Sequence, residues 1–498
     1  VISRPDQYVG IITHTQNPGA VKRYQTPGKF APDLVWAKER GGSSAHNLFD
    51  TVRGATKRLR SNTGNAEDTQ SNMVQAFHND GFTYGVEYPN NSGQSGVYWC
   101  WKAGGNKNTF NVDDVGYQYY LQSPTGTSTP VYSGYCSGTQ YSSTYSYAKA
   151  FDNSTSTVSF ASNGNTITFT PPGGIANSGN ILVTFDNGSV TDGGGSADFQ
   201  INGSSVKSFF QTAITADGGG SGSSRVATIT GITTITSMSW SRIADNDLFG
   251  VRKIVINGSE TLTDGATIAP TGASVGTKQG FSIIKFTGSG SGTPSIPHGL
   301  SEAPTFIIQK DTEASTSWRA FAYDGSTWKI GNLNNTDSFT SATETAPTSS
   351  LFYANGNGNA ANTQIAYLWH DVPGLQKFGT YEGSGVAGNY VHLGFRPALI
   401  WIKSVDTTTI QNWGIIDSTR SYANVGNHTL ALNLDNGESA FGGGESVFGA
   451  SNKIDLLSDG FVLRETSGFG NTSGITFLYC AWAEAPSIDL YGGGANAR

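Results

Sequence analysis

Runs of roughly five or six mostly apolar residues, broken by Gly, Pro, Asn and Ser, recur along the chain, as in DLVWAK, GVYWCW and PALIWIK. Runs of that length between turn residues predict strands with at least one buried face. One such run is written three times with a Pro before it and a Lys at its end: APDLVWAKER (31–40), APTFIIQKDT (303–312) and RPALIWIKSV (396–405). Pro32, Pro304 and Pro397 suit strand entry, where a missing N–H costs least. Lys38 and Lys403 then read as the point where the strand leaves the core for solvent.

Each copy belongs to a longer unit. Upstream lie an aromatic strand and a Gly-rich turn: YVGIITHTQNPG (8–19), GFSIIKFTGSGSG (280–292) and KFGTYEGSGVAG (377–388). Downstream, Asp50 with Arg53 and Asp417 with Arg420 follow an apolar strand, and the Asp-Gly of FHNDGFTYG (77–85) and LLSDGFVLR (456–464) marks a turn entering a strand. Aromatic strands close the units at VYWCWKAG (97–104), IAYLWHDVPG (365–374) and FLYCAWAEAP (477–486), which predicts burial of Trp101, Trp369 and Trp482. The second unit departs from the others: RAFAYDGSTWKIGN (319–332) replaces the Asp-Arg segment, and no Asp-Gly-Phe turn precedes its closing strand. Residues 125–265 break the repeat with strands of their own, such as NTITFTP, NILVTFD and RKIVING, between flanks that read as a split linker. The fold class is all-β: tandem β-sandwich-like repeat domains with an inserted β-sandwich module. The units run 1–120, 125–265, 266–375 and 376–498, and at this length each is expected to hold its own core.

Composition supports strands and turns. Charged residues are 13% of the 498 positions, about half the roughly 25% of an ordinary globular protein. Gly (65) and small polar residues fill the gap, while 10 Trp, 21 Tyr and 26 Phe argue against a solvated, unfolded chain. A net charge of −7 disfavours a nucleic-acid partner, which needs basic density. Cys100, Cys136 and Cys480 are too far apart and odd in number for a disulfide framework or a zinc motif; Cys100 and Cys480 read as small buried hydrophobes. No apolar run approaches a membrane span. No signal peptide is visible, and with Val1 in first place targeting stays open.

Candidate chemistry is thin. GASVG (272–276) fits Gly-x-Ser-x-Gly, but it sits in a polar linker with no helix after it, unlike a nucleophile elbow. GSGVAG (383–388) fits a dinucleotide fingerprint yet joins two short strands as a turn. The seven histidines show no metal-ligand spacing. Asp186, Asp192 and Asp198 lie in a Gly-rich stretch that calcium would suit, without the spacing of an EF-hand loop. No catalytic, cofactor or metal residue is therefore assigned. The stronger signal is the Tyr-rich stretch 132–151, where Tyr132, Tyr135, Tyr141, Tyr145 and Tyr147 stand among small polar residues as a candidate contact surface for sugar rings or another chain.

The combination of FAPDLVWAKER, LFDTVRGATKRLRSNT, NDGFTYG and VYWCWKAG, with GFSIIKFTGSGSG, IPHGLSEAP, GFRPALIWIK and SDGF further on, resembles a repeat domain in tail proteins of marine bacteriophages, including those of cyanobacteria. The middle segment is similar to another module of such proteins, and AFDNSTST to galactose-binding-like sandwiches. The resemblance implies a non-enzymatic virion structural protein, a tail fibre, tail spike or capsid fibre, made in the host cytoplasm and carried in the particle. It implies other virion proteins as partners, a trimeric assembly and a host-surface glycan as receptor. It brings no catalytic residues and no cofactor. A depolymerase of host polysaccharide and a secreted carbohydrate-binding protein are the alternatives. The Tyr-rich stretch and the tail YGGGANAR (491–498) are the expected intersubunit contacts.

Overall fold

The computed structural model describes residues 2–14, 19–117, 132–152, 154–171, 174–188, 197–242, 248–256, 260–261, 266–406, 412–421, 424–426, 428–438, 454–466, 470–488 and 494–495. The chain forms two compact units. One holds residues 1–117 and 270–498, the other residues 118–269, so the module expected at 125–265 is set apart from the repeats.

In the larger unit the three repeats have the same plan. Each contributes an inner sheet whose strands play four roles. The opening strands are Val9–His14, Phe281–Thr287 and Gln376–Glu382; the motif strands are Leu34–Glu39, Phe306–Asp311 and Pro397–Ser404. The return strands are Asn47–Asp50, Arg319–Tyr323 and Gly414–Asp417; the closing strands are Gly96–Trp101, Thr363–Trp369 and Thr476–Ala483. In all three sheets the order is opening, closing, motif, return, and all of these pairs are antiparallel. The register agrees as well: Leu34, Phe306 and Leu399 stand opposite Trp101, Trp369 and Trp482. The three Pro-strand-Lys copies are thus one structural position written three times.

Each repeat also has a smaller outer sheet, which gives it its sandwich layering. In the first it comprises Lys22–Gln25, Gly81–Tyr84 and Val74–His78; in the third, Asn389–His392, Gly460–Leu463 and Ile454–Leu457. The Asp-Gly turns close hairpins there, with His78 opposite Gly81 and Leu457 opposite Gly460. The second repeat, which lacks that turn, has only Ser295–Pro297 paired with Leu351–Tyr353.

The inner sheets are buried on both faces, which explains their nearly unbroken apolar runs. In the first motif strand Val35 and Ala37 face an outer cluster with Phe82 and Tyr84, whereas Leu34 and Trp36 face the other way. The third repeat splits Ile400 and Ile402 from Leu399 and Trp401 in the same manner. The second faces of all three sheets meet in a single core containing Trp36, Trp99, Trp101, Trp318, Trp369, Trp401, Trp413 and Trp482. The first and third repeats thus keep an outer cluster each, but the tryptophan core is shared by all three. Each sheet alone would leave its aromatic face in water.

The flanks of the insertion are strands rather than linker. Phe110–Val112 pairs in parallel with Pro270–Gly276, and both extend the second repeat's inner sheet. GASVG is therefore strand, with Ser274 fully buried.

The smaller unit is two five-position sheets and a two-stranded ribbon around its own core, with Phe169, Phe185, Phe199, Phe210 and Trp240 at the centre. It also holds the one α-helix among the described residues, Lys207–Ala216, which seats Phe210 and Ile214 one turn apart on that core. The run KSFFQTAITA is short and rich in residues that strands also accept, so pattern alone did not separate it from the surrounding strands.

Trp482→Ala should lower the unfolding free energy by about 3–5 kcal/mol. Because the core is shared, Trp101→Ala should shift the same denaturant transition of the large unit. Two separate transitions, each moved by only one of the variants, would contradict a shared core.

Candidate functional site: interlocked seams and the clefts beside them

The seams between repeats carry the buried polar chemistry. Three equivalent side chains, each two residues before a return-strand position opposite the motif strand, reach into the next repeat. His46 bonds the Ala431 carbonyl (2.9 Å), Trp318 donates to the Arg60 carbonyl (2.8 Å) and Trp413 donates to the Asn332 carbonyl (2.9 Å). First touches third, second touches first, and third touches second, so the ring closes. The Trp36 indole donates to His46 Nδ1 (2.9 Å), which leaves Nε2–H to donate to Ala431. Burial pushes the His46 imidazolium well below the usual range and keeps the ring neutral.

Backbone straps close the same three seams in the opposite sense, first to second, second to third and third to first. The N–H groups of Glu67, Phe339 and Glu438 donate to the carbonyls of Thr312, Val405 and Arg40, at 2.8, 2.8 and 2.6 Å. Those acceptors are equivalent, each lying two residues past the motif lysine.

The Asp-Arg pairs seen in the sequence are the third element. Asp50 receives Arg53 Nε (2.5 Å), and Asp417 receives Arg420 Nε (2.6 Å), with all four side chains at most 2% exposed. Each carboxylate also takes a hydrogen bond across a seam: Tyr367 Oη–H donates to Asp50 (2.6 Å) and Trp99 Nε1–H to Asp417 (2.9 Å). The register places Tyr367, Trp99 and Cys480 at one equivalent position, and Asp50, Asp417 and Ala322 at another. In the third seam donor and acceptor are both replaced, so no unpaired carboxylate is buried there.

The motif lysines do not exit to solvent. Lys38, Lys310 and Lys403 are at most 1% exposed. Lys38 donates to the carbonyls of Glu39 and Gly42, Lys310 to those of Asp311 and Ala314, and Lys403 to that of Thr336 across a seam. Burial lowers each ammonium to about 8. A lysine after an apolar run reads as a surface marker because its charge is visible in sequence and the carbonyls that receive it are not.

A further threefold feature gave no sequence signal. Buried Asn90, Asn359 and Asn471 each precede a closing strand and clasp the loop after the opening strand. They donate to the carbonyls of Ala20 (2.8 Å), Ser291 (2.7 Å) and Val386 (2.9 Å). Asn is common in such loops, so only a similar offset from the closing tryptophan, 11, 10 and 11 residues, could have found them. GSGVAG is that loop in the third repeat; it links an inner to an outer sheet rather than closing a hairpin.

The predicted contact tyrosines divide. Tyr132, Tyr135 and Tyr147 are partly buried against the small unit's core, with Tyr132 stacked on Phe151. Tyr145 packs edge-on to Phe160, and only Tyr141 is exposed, half of it, with the Arg242 guanidinium 4.7 Å from its ring centre. The stretch is mainly a cover for its own sandwich. Of the three aspartates, Asp192 lies outside the described residues. Asp186 is held by Arg252 (2.6 Å), and Asp198 accepts the Ser205 hydroxyl (2.6 Å). No group of three metal-ligating side chains occurs among the described residues. The tail expected as a contact lies outside them except for 494–495, which pairs with Ser487–Ile488. No helix among them is long and apolar enough to cross a membrane.

Open clefts among the described residues of the large unit include three of similar size. One, of about 420 Å³, is lined by Gln7, Tyr8, Lys29, Phe30, Asn79, Lys102, Lys107 and Asp114, at one end of the first repeat. A second, of about 430 Å³, lies at the seam of first and second repeats beside Arg53, Glu67, Lys285 and Glu313. The third, of about 410 Å³, is lined by Ile330, Asn332, Asp337 and Thr340.

Tyr367→Phe should cost about 1.5–3 kcal/mol, the range for a hydrogen bond to a charged group. Combined with Asp50→Asn in a double-mutant cycle, the losses should fail to add. For the lysines, the folded pKa of about 8 lies below the unfolded value of 10.5. Between these the unfolded chain binds more protons, so their contribution to stability rises with pH across that window and is flat below it. Lys310→Met should therefore gain on the wild type at pH 7 and lose that advantage by pH 9.5 in denaturant titrations. The paired comparison cancels the opposing effect of the buried thiols Cys100 and Cys480, whose pKa is raised by burial. A pH-independent difference would contradict the burial of Lys310 as a charge.

No curated protein matches the chain. Among solved structures, it is similar to a cryo-EM structure of the arabinofuranosyltransferase AftD from Mycobacteria, at 10% identity and a TM-score of 0.19. That likeness covers 70% of this chain and 34% of the enzyme, so the chain spans about a third of it, and at such a score it carries no argument. A family model matches residues 4–140 and 255–486, which takes in the three repeats and breaks within the inserted unit. On that match the chain belongs to the family described as a domain of unknown function, DUF7483.

Proposed function

We propose that this chain is a structural and adhesive component of a bacteriophage particle, a tail fibre, tail spike or capsid fibre, rather than an enzyme. The observation that carries the reading is that the charged residues the repeats share are engaged in holding sheets together. Lys38, Lys310 and Lys403 bind backbone carbonyls, and the Asp50–Arg53 and Asp417–Arg420 pairs are buried under aromatic donors from the neighbouring repeat. At most 2% exposed, these side chains lie beyond the hydrogen-bond reach that proton exchange with a substrate requires. The repeated signature is that of a scaffold, and the resemblance of its motifs to marine phage tail proteins supplies the setting.

A trimeric assembly belongs to the same proposal and rests on the resemblance alone. The aromatic inner faces themselves need no neighbouring subunit, because the other two repeats of the same chain cover them.

Immunogold labelling of purified particles with antibody to this chain should decorate an appendage or capsid fibre, and host envelope polysaccharide incubated with the chain should release no new reducing ends. Recovery of the chain only outside particles, or steady release of reducing ends, would contradict the proposal.

A further inference from the structure

The first cleft stands out by charge. In a chain of net charge −7, it gathers three ammonium groups against one carboxylate. Lys102 is paired with Asp114 (2.6 Å), and Lys107 donates to the Asp114 carbonyl. Lys29 has no such partner among the described residues: only its backbone N–H is engaged, with the Thr26 carbonyl (2.9 Å).

The backbone that presents these groups is unusual. Lys29 has φ +56° and Asp114 φ +67°, left-handed conformations that disfavour side chains. Beside Lys29 the chain passes so close to the Asp6 carbonyl that a Cβ on Gly28 would overlap it. The loop thus carries a lysine in a costly conformation at the cleft, and such strain concentrates at binding sites.

The remaining lining narrows the ligand. Tyr8 is half-buried against the large core and offers a ring, while Gln7 and Asn79 are exposed amides with both donors and acceptors. The volume of about 420 Å³ falls within the roughly 300–1,000 Å³ of small-ligand sites. No arginine lines the cleft, so the planar fork that favours bidentate phosphate recognition is absent from the lining. Point-charge ammonium groups, amides and an aromatic face together suit a sugar ring that carries a carboxylate or sulfate.

We propose that the cleft formed by Lys29, Lys102, Lys107 and Tyr8 binds an acidic polysaccharide, with the uronate or sulfate group at Lys29 and Lys107. This rests on the adhesive part of the function proposed above and gives it a ligand class and a place. It differs from the Tyr-rich stretch, whose rings mostly cover their own core.

Isothermal titration of the full chain with oligogalacturonate and with chondroitin sulfate oligosaccharides, beside neutral dextran, tests it. At least one acidic oligosaccharide should bind and dextran should not, with affinity falling at least tenfold between 50 and 300 mM NaCl. K29Q/K107Q should weaken that binding at least tenfold and keep the wild-type melting temperature, while Lys285→Gln in the neighbouring cleft should leave it unchanged. Failure of both acidic oligosaccharides to bind, or binding untouched by K29Q/K107Q, overturns the proposal. So does equal binding of inorganic sulfate or of single-stranded DNA. Particle labelling is read separately, so a virion component with no acidic-glycan affinity would sink this inference and leave the structural role standing.

Discussion

A sheet with two apolar faces can use an outer sheet to bury only one of them, and the inner sheets of all three repeats are in that position. Trp101, Trp369, Trp401 and Trp482 come together from three sheets, with ring centres 4.9 Å apart for Trp401 and Trp482 and 5.5 Å for Trp101 and Trp482, in edge-on contacts. Their indole N–H groups have no hydrogen-bond partner. An unmade bond of that kind costs about 1–3 kcal/mol. Burying the 150–250 Å² of one such ring returns roughly 4–6 kcal/mol at 25 cal/mol/Å², so burial wins at each position.

The seams around that core are equivalent in backbone and different in chemistry. At the position two residues beyond the motif lysine, Arg40 forms an ion pair with Glu438 (2.5 Å). Its counterpart Thr312 faces Glu67, which turns instead to Arg53 (3.1 Å) beside an open cleft. At the third seam the corresponding residues are apolar, Val405 and Phe339. Three identical seams would let the repeats assemble in either cyclic order, whereas a charged, a polar and an apolar pairing at this one position favour a single order by penalising the wrong pairings. The paired loss of donor and acceptor at Cys480 and Ala322 obeys the same rule, because either partner alone would be a buried orphan.

Much of this was legible in sequence, and the limits have physical causes. The strands, the repeat, the buried closing tryptophans, the Asp-Gly hairpins and the separate insertion all follow from local patterning, which strands and turns obey closely. The Asp50–Arg53 and Asp417–Arg420 pairs were visible as a spacing, but their aromatic caps lie more than 300 positions away and belong to other repeats. The same distance hid the shared core: an apolar face looks alike whether its partner is its own domain or a neighbour. Lys38 and its counterparts misled because a lone charge at a strand end has two readings, solvent or a ring of carbonyls, and only the loop geometry decides. The cationic cleft was invisible because Lys29, Lys102 and Lys107 are ordinary lysines until Tyr8, Phe30 and the hairpin at Asn79 are folded around them.

Function follows from the scaffold in this sense: three repeats that fix one another leave their loops and clefts free to vary without disturbing the core. The direct measurement of that interdependence is native-state hydrogen exchange on the full chain. The slowest amides of the closing strands Gly96–Trp101, Thr363–Trp369 and Thr476–Ala483 should share one opening free energy and one denaturant dependence, because no repeat can open without exposing the faces of the other two. If the closing strand of one repeat exchanges through a lower-energy opening while the other two stay protected, the repeats are independent domains and the shared core does not hold them.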